Sequence, residues 1–141
     1  MEFPVVCRTP EEMEGLGRAL AAEAGPGDVL ALSGPLGAGK TQLVKGLASG
    51  MGYSGPVTSP TFTLLHEYQG QRGELLHLDF YRAGRAEEIE ALGWDDLLER
   101  GALVVVEWAE RFGGLVPSGS RWLEIGILPD DSRQVTLATR D

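Results

Sequence analysis

"VLALSGPLGAGKT", residues 29–41, decides the fold. Val29 to Leu32 are apolar without interruption, the pattern of a short strand buried on both faces of a sheet. The run then breaks into "GPLGAGKT", Gly34 to Thr41, which fits G-x-x-x-x-G-K-[ST] at every fixed position. The context fits as well, since a helix is expected over residues 40–51. Gly34, Gly37 and Gly39 permit backbone conformations and a close approach that a side chain would block. The amides of Gly34, Leu36, Gly37, Ala38 and Gly39 are thus candidates to cradle phosphate groups at a helix N-terminus. Lys40 is the candidate for the terminal phosphates, and the Thr41 hydroxyl is a candidate magnesium ligand.

Working outward, "FPVVCR" (3–8) is expected as a first strand and "TPEEMEGLGRALAAEA" (9–24) as a helix. Thr9 suits the N-cap, Pro10 the first helical position and Glu12 a capping box. Met13, Leu16 and Leu20 share one face at helical spacing. Beyond the polar stretch 52–60, "TFTLLHEYQ" (61–69) and "ELLHLDFYR" (74–82) are expected as two strands of a hairpin. Residues 86–99 are helical with a break near Gly93, and "ALVVVEW" (102–108) is a second buried strand. "RWLEIGIL" (121–128) and "RQVTLATR" (133–140) alternate as an antiparallel pair. The sum is an α/β chain, one domain over 1–141, with a mixed, mainly parallel central sheet and a C-terminal antiparallel strand pair.

The bulk numbers exclude several classes. The 141 residues suit one domain and leave no room for a second catalytic one. No apolar run approaches the 18 or so residues of a membrane span, and the first fifteen residues lack the pattern of a signal peptide. Cys7 is the one cysteine, which rules out an internal disulfide and fits a reducing cytoplasm. With two histidines besides, a zinc site is not expected. The net charge of -9 repels nucleic-acid backbones, so the chain is a poor RNA binder by itself. Guanine is usually read by Asn-Lys-x-Asp in proteins with this loop; the sequence has no asparagine, which favours ATP.

A magnesium–nucleotide site needs an acidic partner at the end of a neighbouring strand. Two carboxylates qualify: Asp79 at the end of "LLHLD" and Glu107 at the end of "LVVVE". The strand before Glu107 is uninterrupted, whereas His77 interrupts the one before Asp79. "TSPTFT" (58–63) supplies hydroxyls in the loop where a γ-phosphate sensor is expected.

"GPLGAGKT", "VTSPTFTLLHEY", "HLDFYR" and "VVVEWAER", in this order and spacing, resemble the TsaE (YjeE) family, the bacterial P-loop ATPase of tRNA threonylcarbamoyladenosine synthesis. The resemblance spans roughly residues 9–138 and includes "EEIEALGWDDLL" and "RWLEIGI". It implies a three-layer P-loop NTPase-like fold and an ATPase that is slow alone. It also implies action with TsaB- and TsaD-like partners, the latter the transferase, with tRNA met only through the complex. Residue by residue, it implies that Lys40 and the loop amides bind ATP and that Thr41 and Glu107 hold Mg²⁺. It further implies that Asp79 positions water or a switch, that Thr61 is the switch hydroxyl and that Trp108 shapes the site. Thr9 and Arg133 match positions near the adenine end. Two departures are visible: Pro35 stands at a loop position often acidic in the family, and Ala109 replaces a proline that often follows the tryptophan.

Two other readings remain. A small P-loop phosphotransferase would use the same cradle with a lid, for which Arg82 and Arg85 in "RAGRAEE" are the candidates. A regulatory nucleotide switch would use "TSPTF" without useful turnover.

Overall fold

The computed structural model describes residues 1–35, 37–57 and 64–138. It contains strands β1 (Val5–Cys7), β2 (Val29–Ser33), β3 (Leu65–Gly70), β4 (Gly73–Asp79), β5 (Leu103–Glu107), β6 (Arg121–Ile127) and β7 (Arg133–Ala138). They form one mixed sheet in the order β1-β7-β6-β2-β5-β4-β3. The central four strands, β6, β2, β5 and β4, are mutually parallel; β3 on one side and β7 on the other run antiparallel to them, and β1 pairs antiparallel with β7 at the edge. The two continuous apolar runs read from the sequence, β2 and β5, sit side by side in the middle and are buried at every residue. That placement is what such runs require, because a strand with no polar face must be covered on both.

Helices α1 (Pro10–Glu23) and α2 (Lys40–Gly50) cover one face, and α3 (Ala86–Glu90) and α4 (Trp94–Glu99) the other. Strand alternation sorts the core accordingly. Leu30, Leu32, Leu103 and Val105 pack with Met13, Leu16, Leu20, Leu43 and Leu47 of the first pair. Ala31, Val104 and Val106 pack with Phe80, Ile89, Trp94 and Leu97 on the opposite side. Fully burying a side chain of this size contributes about 1.5–3 kcal/mol.

The junction of α1 and α2 is unusually close. A Cβ on Gly46 would lie 2.0 Å from the Glu14 carbonyl oxygen, and one on Gly17 would lie 2.3 Å from that of Leu43. Two glycines thus bring backbone against backbone, which fixes α2, and with it the loop that precedes α2, relative to α1.

Several expected boundaries shift. Thr9 caps α1 by accepting the Glu12 N–H at 3.1 Å, but the Glu12 carboxylate takes the Arg8 N–H rather than that of the cap residue. The strand expected over 74–82 ends at Asp79. There the carboxylate accepts the Tyr81 N–H at 3.0 Å, and Phe80–Arg82 tighten into a 3₁₀ turn. The strand expected over 102–108 ends at Glu107, because Trp108 adopts φ 56. The first strand contracts from 3–8 to Val5–Cys7. Within the described residues the strand expected over 61–69 begins at Leu65, and the last strand covers Arg133–Ala138. The break near Gly93 is real: Gly93 has φ 84 and caps α4.

Candidate active site

The site is built where the central parallel strands end, on the side toward which they all point, the usual place for a ligand in an open α/β sheet. β2 hands over at Ser33 to the loop. Gly34 has φ 150, and a Cβ there would lie 2.5 Å from the Ile125 carbonyl oxygen on β6. Gly37 (φ 81) and Gly39 (φ 103) are left-handed, and Gly39 is the N-cap of α2 with no side-chain cap. Such a glycine start leaves the first amides of α2 to be satisfied by something other than a capping side chain. Leu36 and Thr61, both expected at the site, lie outside the described residues.

Lys40 opens α2 and is 5% exposed. Its ammonium donates to the carbonyl oxygens of Gly34 at 2.5 Å and Pro35 at 3.2 Å, and sits 3.8 Å from the ring centroid of Trp108. Burial lowers its pKa, while Glu107, Glu110 and Asp79 pull the other way.

Asp79 and Glu107 end adjacent parallel strands and are register partners, so their side chains emerge next to one another on one face. Both are buried. Burial raises the Asp79 pKa and Glu107 adds to the rise; the Tyr81 N–H, Arg82 and His77 oppose it. Arg82 places its Nε 4.0 Å from Asp79. Glu107 is held by His77, whose Nε2 is 2.5 Å from Oε2. Trp108 follows in its left-handed conformation, its ring 5.1 Å from that of Tyr81. Together, Gly37, Ala38, Gly39, Lys40, Thr41, Asp79, Glu107 and Trp108 line one cleft of about 460 Å³, with Gln42, Tyr81 and Arg82.

Thr9 and Arg133 are brought to a second cleft of about 280 Å³, which shares Gly37, Gly39 and Gln42 with the first. Arg133 donates there to the carbonyl oxygen of Gly37 at 3.3 Å and to that of Asp131. Of the two arginines considered as a lid, Arg82 lines the first cleft, while Arg85 is largely exposed and faces Glu87.

The donor set suits a magnesium–nucleotide complex. One hydroxyl (Thr41) and one strand-end carboxylate (Glu107) are hard oxygen donors in the cleft that holds Lys40. Magnesium characteristically takes one or two such protein ligands and fills the rest with phosphate and water. No group of three or more His, Cys, Asp or Glu side chains that could hold a metal ion occurs among the described residues. Nor, among them, is any helix long and apolar enough to cross a membrane.

Sequence reading missed His77, taken only as an interruption of its strand, and gave Tyr81 no role. The signal for His77 was present in "HLD": alternation puts residues 77 and 79 on the same face. Its partner across the sheet required the register of β4 against β5.

Comparison with known proteins gives a consistent picture. The family model described as "Threonylcarbamoyl adenosine biosynthesis protein TsaE" matches residues 7–135. The tRNA threonylcarbamoyladenosine biosynthesis protein TsaE of Bacillus subtilis (strain 168) is 41% identical over 127 residues, covering 90% of this chain and 79% of the relative. The protein of the same description from Treponema pallidum (strain Nichols) is 36% identical over 133 residues, covering 94% and 98%. The crystal structure of Bacillus subtilis YdiB superposes with a TM-score of 0.78 at 35% identity, covering 96% of this chain and 83% of that one.

Proposed function

The chain belongs to the TsaE family, and from that premise we propose that it is an ATP-binding, slowly ATP-hydrolysing subunit of the tRNA threonylcarbamoyladenosine pathway. It acts as a single P-loop ATPase domain in the cytoplasm, in a complex with TsaB- and TsaD-like proteins, and meets tRNA only through them. The observation that carries the reading is the cleft that joins the glycine loop, Lys40 and Thr41 to two strand-end carboxylates.

Each side chain has a physical task. The loop amides with the N-terminus of α2 attract the phosphates. Lys40, buried and held in place by loop carbonyls and Trp108, offers a fixed positive charge for the terminal phosphates. Thr41 and Glu107 would hold Mg²⁺, which when bound with ATP supplies charge neutralisation at the phosphates. Asp79, its carboxylate anchored by the Tyr81 N–H, orients the attacking water or couples the site to a switch. Thr9 and Arg133 border the base end, and Thr61 is the switch hydroxyl. The net charge of -9 suits a subunit that docks on proteins and leaves the RNA to them.

The test is phosphate release from ATP by the chain alone and with purified TsaB- and TsaD-like proteins, repeated for Lys40→Ala, Asp79→Asn and Glu107→Gln. Expected are slow turnover alone, acceleration by the partners, and a loss on the order of a hundredfold in each variant. Transfer of phosphate to a small metabolite without partner stimulation would instead establish the phosphotransferase reading. Tight tRNA binding by this chain alone at physiological salt would also overturn the assignment.

A further inference from the structure

His77 lies on β4, two residues before Asp79 and on the same face, and its ring is completely buried. It is stacked on Tyr68, with ring centroids 6.3 Å apart and planes at 27°, and meets His66 edge-on at 6.3 Å. Nε2 is 2.5 Å from Oε2 of Glu107. Nδ1 is the one buried side-chain polar atom with no hydrogen-bond partner among the described residues. An unpartnered N–H in such a place is costly. The tautomer with the least unmet demand therefore carries its proton on Nε2, donated to Glu107, and leaves a bare nitrogen at Nδ1.

A completely buried strand position would be better filled by leucine if packing were the only requirement, since His77 leaves one polar atom orphaned. What the ring does accomplish is to tie down one oxygen of a carboxylate whose other oxygen remains for the cleft that Glu107 lines. We infer that His77 is a positioning residue: through Nε2–H it fixes Glu107 so that Oε1 is presented to the nucleotide-bound cation. This rests on the functional reading above for the identity of what Glu107 meets, but not for the hydrogen bond itself. Residues that orient a metal-binding side chain in this way characteristically change metal affinity or activity by about 10–100-fold when lost.

Two measurements test it. In the nucleotide-free full chain labelled with ¹⁵N-histidine, His77 should show a protonated, slowly exchanging ε nitrogen and an unprotonated δ nitrogen. The ε proton should exchange faster in Glu107→Ala. A δ-protonated ring, or a mixture of tautomers in rapid exchange, would overturn the proposal. Next, Mg²⁺ is titrated into the ATPase reaction of the wild type, His77→Leu and His77→Gln. Leucine fills the space without a donor; glutamine carries an N–H near the place of Nε2. Leucine should raise the half-saturating Mg²⁺ concentration about tenfold or more, with glutamine recovering to within about threefold. Equal impairment of both variants alongside equal losses of thermal stability would mean a purely structural role, and wild-type behaviour of both would mean no role; either refutes the proposal. If the wild type itself hydrolyses no ATP, the functional reading fails, and the nitrogen spectrum alone decides whether His77 holds Glu107.

Discussion

Substituting alanine for glycine inside a helix normally stabilises it, by about 1 kcal/mol in an exposed interior. At Gly46 the structure reverses the sign. The new Cβ would lie 2.0 Å from the Glu14 carbonyl oxygen, 2.8 Å from its carbon and 2.9 Å from its Cα. Ordinary non-bonded contact lies near 3.5 Å, so the two helices must part by more than about 1 Å. All three colliding atoms are backbone, and no rotamer change relieves them. Overpacking of this kind costs about 1–3 kcal/mol, with this site at the upper end. After the helix preference of alanine, Gly46→Ala should lose about 2 kcal/mol. For a chain of this size that is about 4–8 °C in Tm. The control is Gly15→Ala in α1, where the added Cβ meets only the far end of Arg18 at 3.7 Å. That variant should be neutral or gain up to about 1 kcal/mol. Urea unfolding followed by far-UV circular dichroism reads both, provided the m-values agree with the wild type. Because α2 begins at Lys40, the displaced helix in Gly46→Ala should also weaken ATP binding, while Gly15→Ala leaves it alone. A Gly46→Ala chain that unfolds at or above the wild-type midpoint would refute the account of the α1–α2 junction.

Three further outcomes are expected. Lys40→Met should abolish measurable ATP binding by calorimetry yet leave Tm unchanged or higher, because it removes a cation that burial makes costly. Asp79→Asn should be more stable than the wild type at pH 7, with the advantage vanishing in acid: Asp79 has a raised folded pKa, so its contribution is fully present below the unfolded value of 3.8 and lost as pH rises through the folded one. Denaturant midpoints measured from pH 3 to pH 7 decide this, and a constant difference across that range would contradict it. Glu107→Ala should be about 1–3 kcal/mol less stable than Glu107→Gln in urea melts, because alanine leaves both nitrogens of a buried His77 without partners whereas glutamine keeps an acceptor.

How far the site could be read ahead of the structure depended on the range of the interactions involved. Gly34 to Thr41 carry their own geometry in the residue types, since the left-handed positions at Gly37 and Gly39 are local backbone requirements. The uninterrupted runs before Ser33 and Glu107 announced central strands because burial on both faces is a property of the run itself. Boundaries failed where a side chain competed with the ladder. Asp79 caps the Tyr81 N–H and so ends β4 three residues early, although "DFYR" has good strand propensity. The pairing of Asp79 with Glu107, and of His77 with Glu107, was out of reach for a different reason. It depends on β5 inserting between β2 and β4, with residues 77 and 107 thirty positions apart. No local pattern specifies that register.

The departures from ordinary folding preference are not spread evenly over the molecule. A buried lysine, a buried aspartate, an orphaned imidazole nitrogen and a left-handed tryptophan all occur where β2, β4 and β5 end. The two non-glycine residues with positive φ among those described, Trp108 and Asp131, line the first and second cleft respectively. A left-handed conformation costs a residue such as tryptophan about 1–2 kcal/mol. It persists here because Trp108 must follow the Glu107 strand end while keeping its ring over the Lys40 ammonium and beside Tyr81. Elsewhere local preferences are met: Asp28 takes the Gly25 N–H, and Arg100 grips Glu67 with two nitrogens. The buried charges and the strained tryptophan thus gather where chemistry needs fixed, desolvated charge. On that ground, variants at Lys40, Asp79 and Trp108 should as a group lose activity faster than stability, and those at Gly17, Gly46 and the β2–β5 core should do the reverse.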